Sequence, residues 1–95
     1  MKALLMDQKD NVAVVLQKLE TGKAVSIVLG RDVVDSVEPT MEIPFGHKIA
    51  TRDIQAADPV MKYGEVIGRA TQSIRRGAHV HIHNVVSIRG SAAQK

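Results

Sequence analysis

The segment IRRGAHV, residues 74–80, runs aliphatic, two variable residues, glycine, two variable residues and valine. The same order, with glycine or alanine at the fourth position and valine or isoleucine at the seventh, occurs four times in the chain. We interpret each copy as a turn that leads into a strand, with the small residue at the sharp bend. Glycine is required there only if φ is positive, so Ala57 predicts that its copy turns differently or lies in a helical turn. The other copies are LETGKAV (19–25), IPFGHKI (43–49) and IQAADPV (54–60).

Short apolar runs, separated by glycine, proline or aspartate, make up much of the chain and predict strands. Thirteen valines and eight isoleucines against five leucines also favour pleated sheets over helices. We therefore predict a mostly β domain, a small barrel or clip of short strands with at most one or two helical turns. One such turn is expected at residues 53–58, capped by Asp53. The predicted strands are residues 11–16, 24–29, 33–37, 47–50, 59–63, 65–71 and 79–86.

The length and composition of the chain exclude several classes of protein. Its 95 residues suit one domain, which we place at residues 1–90, followed by a flexible tail at 91–95. Without cysteine there can be no disulfide and no thiolate nucleophile, and a start that is neither a signal peptide nor a membrane span predicts a cytoplasmic protein. The net charge of +3 is compatible with nucleic-acid binding. The basic residues are scattered along the sequence, however, which argues against a nucleic-acid-binding surface. Phe45 and Tyr63 are too few aromatic residues for a base-stacking surface.

Three histidines, His79, His81 and His83, alternate with other residues in the segment AHVHIHNVV at 78–86. On a regular strand they would form a row with steps of about 7 Å and an outer separation of about 13 Å. Two neighbours in such a row can bind one metal ion, but all three cannot without a bend. The row is therefore either a functional site or the polar face of a half-buried strand, and the motif by itself favours the strand face.

Further candidate binding residues lie at the ends of predicted strands, where side chains extend from a rigid scaffold. His47 and Lys48 directly follow Gly46, and Lys62 and Tyr63 precede the next glycine. The sequence contains no nucleophile paired with a base, no glycine-rich phosphate loop and no paired carboxylates. We therefore expect that the chain does not contain a complete active site.

Four motifs follow one another along the chain in a fixed order. They are DNVAVVL (10–16), IPFGHKIATRDI (43–54), DPVMKYGEVIGRAT (58–71) and IRRGAHVHIHNV (74–85). Within them, GHK, KYGEVIG and HVHIHN are the most specific parts. From residue 10 to about residue 90 the chain closely resembles the N-terminal SAF module of the altronate and galactarate dehydratase family, which includes the small subunit of sulfolactate sulfo-lyase.

The resemblance implies a β-clip fold and the small subunit of a lyase that eliminates water or sulfite from a 2-hydroxy acid of sugar type. It also implies a larger dehydratase subunit as partner, and a divalent metal ion, iron or manganese, held mainly by that partner. A homo-oligomer is compatible with it, whereas nucleic acid and membrane are not expected partners. The alternative is a non-catalytic SAF module for sugar-acid binding or subunit assembly. In this context His79, His81 and His83 are the candidate catalytic residues, and the candidate substrate-binding residues are His47, Lys48, Lys62, Tyr63 and Asn84.

Overall fold

A computed structural model describes residues 1–88, so the tail predicted at residues 91–95 lies outside the described residues. Over residues 1–88 the chain forms nine short strands joined by turns and bends. The strands are β1 (Lys2–Leu5), β2 (Val12–Val15), β3 (Val25–Leu29), β4 (Asp32–Val37), β5 (Lys48–Ala50), β6 (Pro59–Lys62), β7 (Glu65–Ala70), β8 (His79–Val80) and β9 (Val85–Ser87).

These strands form two open sheets. The larger has six strands in the order β4-β3-β1-β2-β5-β8, and the smaller has three in the order β6-β7-β9, both counted within residues 1–88. Neighbouring strands are antiparallel, except that β1 and β3 are parallel. The prediction of a small, mostly β domain is confirmed, although over the described residues the sheets do not close into a barrel.

The four copies of the repeat adopt one kind of turn. In each copy the residue after the bend donates its backbone N–H to the carbonyl oxygen three positions earlier, as from His47 to Pro44 at 3.2 Å. The residue at the bend has a positive φ in all four copies, including Ala57 at 74°. This is the geometry of a type II turn. The expectation that the third copy turns differently is therefore wrong, because Ala57 adopts the left-handed conformation that glycine adopts elsewhere.

The helical turn predicted at residues 53–58 is also wrong, because this stretch is a β-bridge followed by the turn at Ala57. Asp53 does not cap a helix. Its carboxylate instead accepts a hydrogen bond from the backbone N–H of Arg76 at 2.8 Å, and Arg76 also forms a two-pronged ion pair with Asp35. The polar residues that suggested a cap thus connect separate parts of the chain.

The turn copies pair with one another and build two cores. The first aliphatic residues of copies one and two, Leu19 and Ile43, form a β-bridge, and those of copies three and four, Ile54 and Ile74, form another. Each pair of copies contributes to a different core cluster. The domain therefore has two halves, one around each core, and the repeat helps to build both. The buried residues at the first and last positions of the copies are Leu19, Val25, Ile43 and Ile49 in the first core, and Ile54, Val60, Ile74 and Val80 in the second.

Two strands differ from the prediction. The first, β1, was not predicted from the short apolar run at the start of the chain, yet it lies between β3 and β2 inside the larger sheet. The single strand predicted at residues 79–86 is wrong, because β8 ends at Val80 and β9 begins at Val85. The three histidines therefore do not form a straight row.

A buried aspartate holds the tip of the β6–β7 hairpin. Asp10 is 1% exposed, and its carboxylate accepts hydrogen bonds from the backbone N–H groups of Tyr63 at 3.0 Å and Gly64 at 2.8 Å. Both of these residues have positive φ, 58° and 71°, as a tight two-residue hairpin turn requires. Asp10 thus stabilises an unfavourable backbone conformation at Tyr63 and fixes the position of the neighbouring Lys62.

Candidate histidine site

Two paired strands bring three histidines together. In the antiparallel pair β5–β8, Lys48 lies opposite Val80 and Ile49 lies opposite His79. Continuing this register by one residue places His47 opposite His81. Because cross-strand partners and diagonal neighbours share one face of a sheet, the side chains of His47, His79 and His81 meet.

The three imidazole rings form a compact cluster. The rings of His47 and His81 are stacked with centroids 3.7 Å apart, and the ring of His79 lies 4.9 Å from that of His47. Nδ1 of His47 is 2.7 Å from Nε2 of His79, a hydrogen-bond distance. Nδ1 of His81 is buried and has no hydrogen-bond partner among the described residues. One polar nitrogen of the cluster is therefore left unsatisfied by the residues around it.

Asn84 creates the bend that the cluster requires. Its side-chain amide donates to the carbonyl oxygen of His79 at 2.8 Å, and its side-chain oxygen accepts from the backbone N–H of His81 at 3.0 Å. Asn84 is 4% exposed, so both interactions are shielded from water. Asn84, which the sequence suggested as a substrate ligand, is placed to hold the backbone of the two histidines. His83 lies within the turn that ends at Asn84, is exposed, and contacts the cluster through a tilted ring contact with His79 at 4.8 Å.

The electrostatic environment favours neutral imidazoles. Burial lowers the pKa of His79 and of His81, and the neighbouring histidines and Lys48 lower both further. Burial also lowers the pKa of Lys48, and the charge of Lys62 adds to that effect. All the charges that shift these three pKa values are cationic. The lowered pKa values favour the neutral form of His79 and His81 at neutral pH, and Lys48 and Lys62 add positive charge to the same surface region.

The candidate lysines and tyrosine lie along a shallow groove that starts at the cluster. One hollow is lined by Lys48, His81 and Ile67, and a second by Lys62, Tyr63 and again Ile67. Both hollows also share Ser87, so they adjoin along this groove, and Glu65 also lines the second. Tyr63 is exposed, with the Lys62 ammonium 5.2 Å from the centre of its ring. The structure thus places the strand-end candidates on one surface, with the histidines at one end and Tyr63 at the other.

The donor set of the cluster fits a divalent transition-metal ion. One nitrogen from each of His47, His79 and His81 can be chosen so that all three atoms lie within 4.8 Å of one another. Imidazole nitrogens suit iron, zinc and similar ions, whereas magnesium and calcium prefer oxygen ligands. Three protein ligands also leave coordination positions open, as in catalytic metal sites.

Sequence reasoning found the members of the cluster but missed the residues that position them. His47 was named from its place after a glycine, and His79 and His81 from their alternation. Asp10 and Arg76 were not singled out, because each acts through a partner distant in sequence: Tyr63 for the aspartate and Asp35 for the arginine. Their residue types gave no sign of those partners.

Comparison with known proteins places this domain in a family. The family model described as "Altronate/galactarate dehydratase SAF domain" matches residues 1–88. The chain belongs to the altronate/galactarate dehydratase SAF domain family. The resemblance drawn from the four sequence motifs is thereby confirmed.

Relatives with curated names fall into two groups that differ in length. The (2R)-sulfolactate sulfo-lyase subunit alpha of Chromohalobacter salexigens is 43% identical over 81 residues, which cover 83% of this chain and 86% of that protein. The altronate dehydratase of Bacillus subtilis is 38% identical over 77 residues, 81% of this chain but 14% of the dehydratase. The galactarate dehydratase (L-threo-forming) of Escherichia coli is 38% identical with the same coverage, 81% and 14%. The SAF family domain thus occurs both in a separate subunit and as a small part of much larger enzymes named as dehydratases.

The described part of the chain contains no helix that is long and apolar enough to cross a membrane.

Proposed function

We propose that the chain is the small subunit of a lyase that eliminates water or sulfite from a 2-hydroxy acid of sugar type, together with a larger catalytic subunit. The observation that best supports this proposal is the convergence of His47, His79 and His81, of which His81 lines the groove beside Lys48. The relative of similar length is named as a subunit, which supports a two-chain enzyme.

The geometry suits the chemistry of such an elimination. A proton next to a carboxylate is weakly acidic, so its removal requires a base and stabilisation of the negative charge that develops. Neutral imidazole nitrogens at the cluster can accept a proton or bind a metal ion. Lys48 and Lys62 can attract the acid substrate into the groove. An iron or manganese ion, when bound, would stabilise the developing charge on the substrate carboxylate, and the three clustered histidines are this chain's candidate ligands for it.

The experiment is reconstitution with the larger dehydratase-type chain of the same organism. Turnover of altronate, galactarate and sulfolactate is measured for the wild-type complex and for single alanine variants of the histidines. His81→Ala should lower turnover by a factor of about 10² to 10⁴, the usual cost of a lost acid or base. His83→Ala is the comparison, and we expect the smaller loss there because His83 lies outside the group of three.

Two results would count against the proposal. If complexes with His47→Ala, His79→Ala and His81→Ala all turn over at the wild-type rate, the alternative of a non-catalytic module for binding or assembly is favoured. If the pure 95-residue chain turns over any of these acids without a partner, the two-subunit arrangement is refuted. Melting curves of each variant establish whether a lost activity reflects a lost fold.

A further inference from the structure

We infer that His47, His79 and His81 form a binding site for one divalent transition-metal ion that this chain holds without a partner subunit. This inference does not depend on the proposed lyase activity. It also differs from the sequence-based expectation that a partner chain mainly holds the metal, because three ligands come from this chain. It rests on the distances between the ring nitrogens, on one unsatisfied nitrogen and on the strand pairing and backbone hydrogen bonds that position the three residues.

The nitrogen positions are close to those of a metal site. Metal–nitrogen bonds of about 2.0–2.1 Å place two imidazole nitrogens on one ion roughly 3 Å apart. Nδ1 of His47 and Nε2 of His79 are 2.7 Å apart, and all three candidate ligand atoms lie within 4.8 Å of one another. Binding of a common ion requires a shift of about 1 Å at each nitrogen, and the rings of His47 and His81 must also tilt out of their stack, because imidazole lone pairs lie in the ring plane.

Hydrogen bonds within the cluster do not provide a partner for every buried ring nitrogen. The contact between His47 and His79 can be a hydrogen bond only if one of the facing nitrogens carries the proton. Nδ1 of His81 is buried and has no partner among the described residues. Buried polar nitrogens in native proteins almost always bind a protein group, water or an ion. A metal ion at the centre of the cluster would accept lone pairs from all three rings in place of the one hydrogen bond.

The ligands are held before an ion arrives. His79 lies within the β5–β8 pair and His47 directly precedes β5, so the backbone positions of both are fixed by the sheet. The bend at Asn84 fixes His81 through its backbone N–H. Ligands whose backbone is already fixed, one within a strand pair and two directly beside it, lose little freedom on binding, which favours affinity. Lys48 adds positive charge beside the ion, so the open coordination positions favour an anionic ligand.

The test measures metal binding by the full chain, expressed without a polyhistidine tag and stripped with a chelator. Cobalt(II) is the probe, since its visible absorption reports nitrogen coordination, and zinc(II) titrated in a calorimeter gives the stoichiometry. We expect one ion per chain. Alanine at His47, His79 or His81 should weaken binding at least about 10- to 100-fold, the cost of losing even an outer partner of a metal ligand. The matched control is His83→Ala, which should bind like the wild type.

Several outcomes would overturn the inference. They are failure of the wild-type chain to bind cobalt(II) at millimolar concentration, equal binding by the wild type and His47→Ala, and a loss in His83→Ala as large as that in His81→Ala. Circular dichroism in chelator checks the fold of each variant. If His81→Ala is unfolded, metal binding by His47→Ala tests the inference instead, because His47 lies outside the strands and its replacement should leave them intact. A chain that binds metal but supports no turnover with the larger subunit would leave this inference standing and refute the proposed function.

Discussion

Substitutions at the bend position of the repeated turn test whether the positive φ of Ala57 destabilises the fold. A glycine adopts the positive φ in the first, second and fourth copies, and Ala57 does so at 74° in the third. The left-handed conformation costs a residue with a side chain about 1–2 kcal/mol. Ala57→Gly removes that cost but adds about 0.4–1 kcal/mol of chain entropy to the unfolded state. The difference of these two ranges predicts a gain in stability centred on about 0.8 kcal/mol and no larger than about 1.6 kcal/mol, so the central value corresponds to a rise in melting temperature of roughly 3–6 °C.

The reverse substitution separates backbone strain from steric overlap. At Gly22, with φ of 78°, an added Cβ would meet nothing within 4 Å, so Gly22→Ala should cost only the conformational term, roughly 0.5–1 kcal/mol. At Gly77, with φ of 90°, an added Cβ would overlap the carbonyl oxygen of Glu38. Because that oxygen belongs to the backbone and cannot rotate away, Gly77→Ala should cost roughly 2–4 kcal/mol.

The assay is urea denaturation followed by circular dichroism, with the slope of the unfolding free energy against urea compared among the variants to confirm equivalent transitions. From most to least stable, the expected order is Ala57→Gly, wild type, Gly22→Ala and Gly77→Ala. A loss of stability in Ala57→Gly would refute the assignment of strain to this residue. Equal losses in Gly22→Ala and Gly77→Ala would refute the steric contribution.

Three further predictions concern side chains. Asp10→Ala removes the acceptor for the hairpin tip and should lower the unfolding free energy by about 2–4 kcal/mol, measured by the same denaturation. The guanidinium of Arg76 lowers the pKa of Asp35 below its usual 3.8, so the stabilisation from this pair is present above that pH and is lost as pH falls through the lower folded pKa. Unfolding measured between pH 2 and pH 5 should therefore depend less on pH in Asp35→Asn, and an unchanged dependence would contradict this prediction. In the reconstituted enzyme, Lys48→Met should raise KM for the acid substrate more than the control Lys18→Met, and equal values would argue against substrate binding in the groove.

The predictable part of the fold was the part encoded by short patterns. The aliphatic and small residues of the repeat predicted four turns, and the structure has the same turn at each copy. What the pattern could not predict was the conformation of Ala57, because an unfavourable φ at one residue is imposed by the pairing of whole strands. The Ala57 N–H donates to the carbonyl oxygen of Ala70 at 2.8 Å, a contact between residues thirteen positions apart. Tertiary hydrogen bonds of this kind override local preference.

The candidate site was predictable in composition but not in shape. Alternation correctly drew attention to His79 and His81, yet alternation by itself implies a straight strand. The bend depends on a side chain, Asn84, that hydrogen-bonds the backbone on both sides of the break. The third member, His47, is 32 residues away from His79 in sequence, and their contact follows from strand register. Register is set by burial of Ile49 and Val80, which single-residue motifs do not reveal.

The position of the histidines also explains why both halves of the domain are needed. In β5, Ile49 belongs to the first core and the next residue, Ala50, belongs to the second. Its partner strand β8 contributes Val80 to the second core. The pair β5–β8 therefore joins the two cores, and the histidines lie at its end. A shift of one half relative to the other would move His47 away from His81, since a register change of one residue also reverses the face of every side chain. The two cores, built from the same turn, thus act together to fix the three imidazoles in one place.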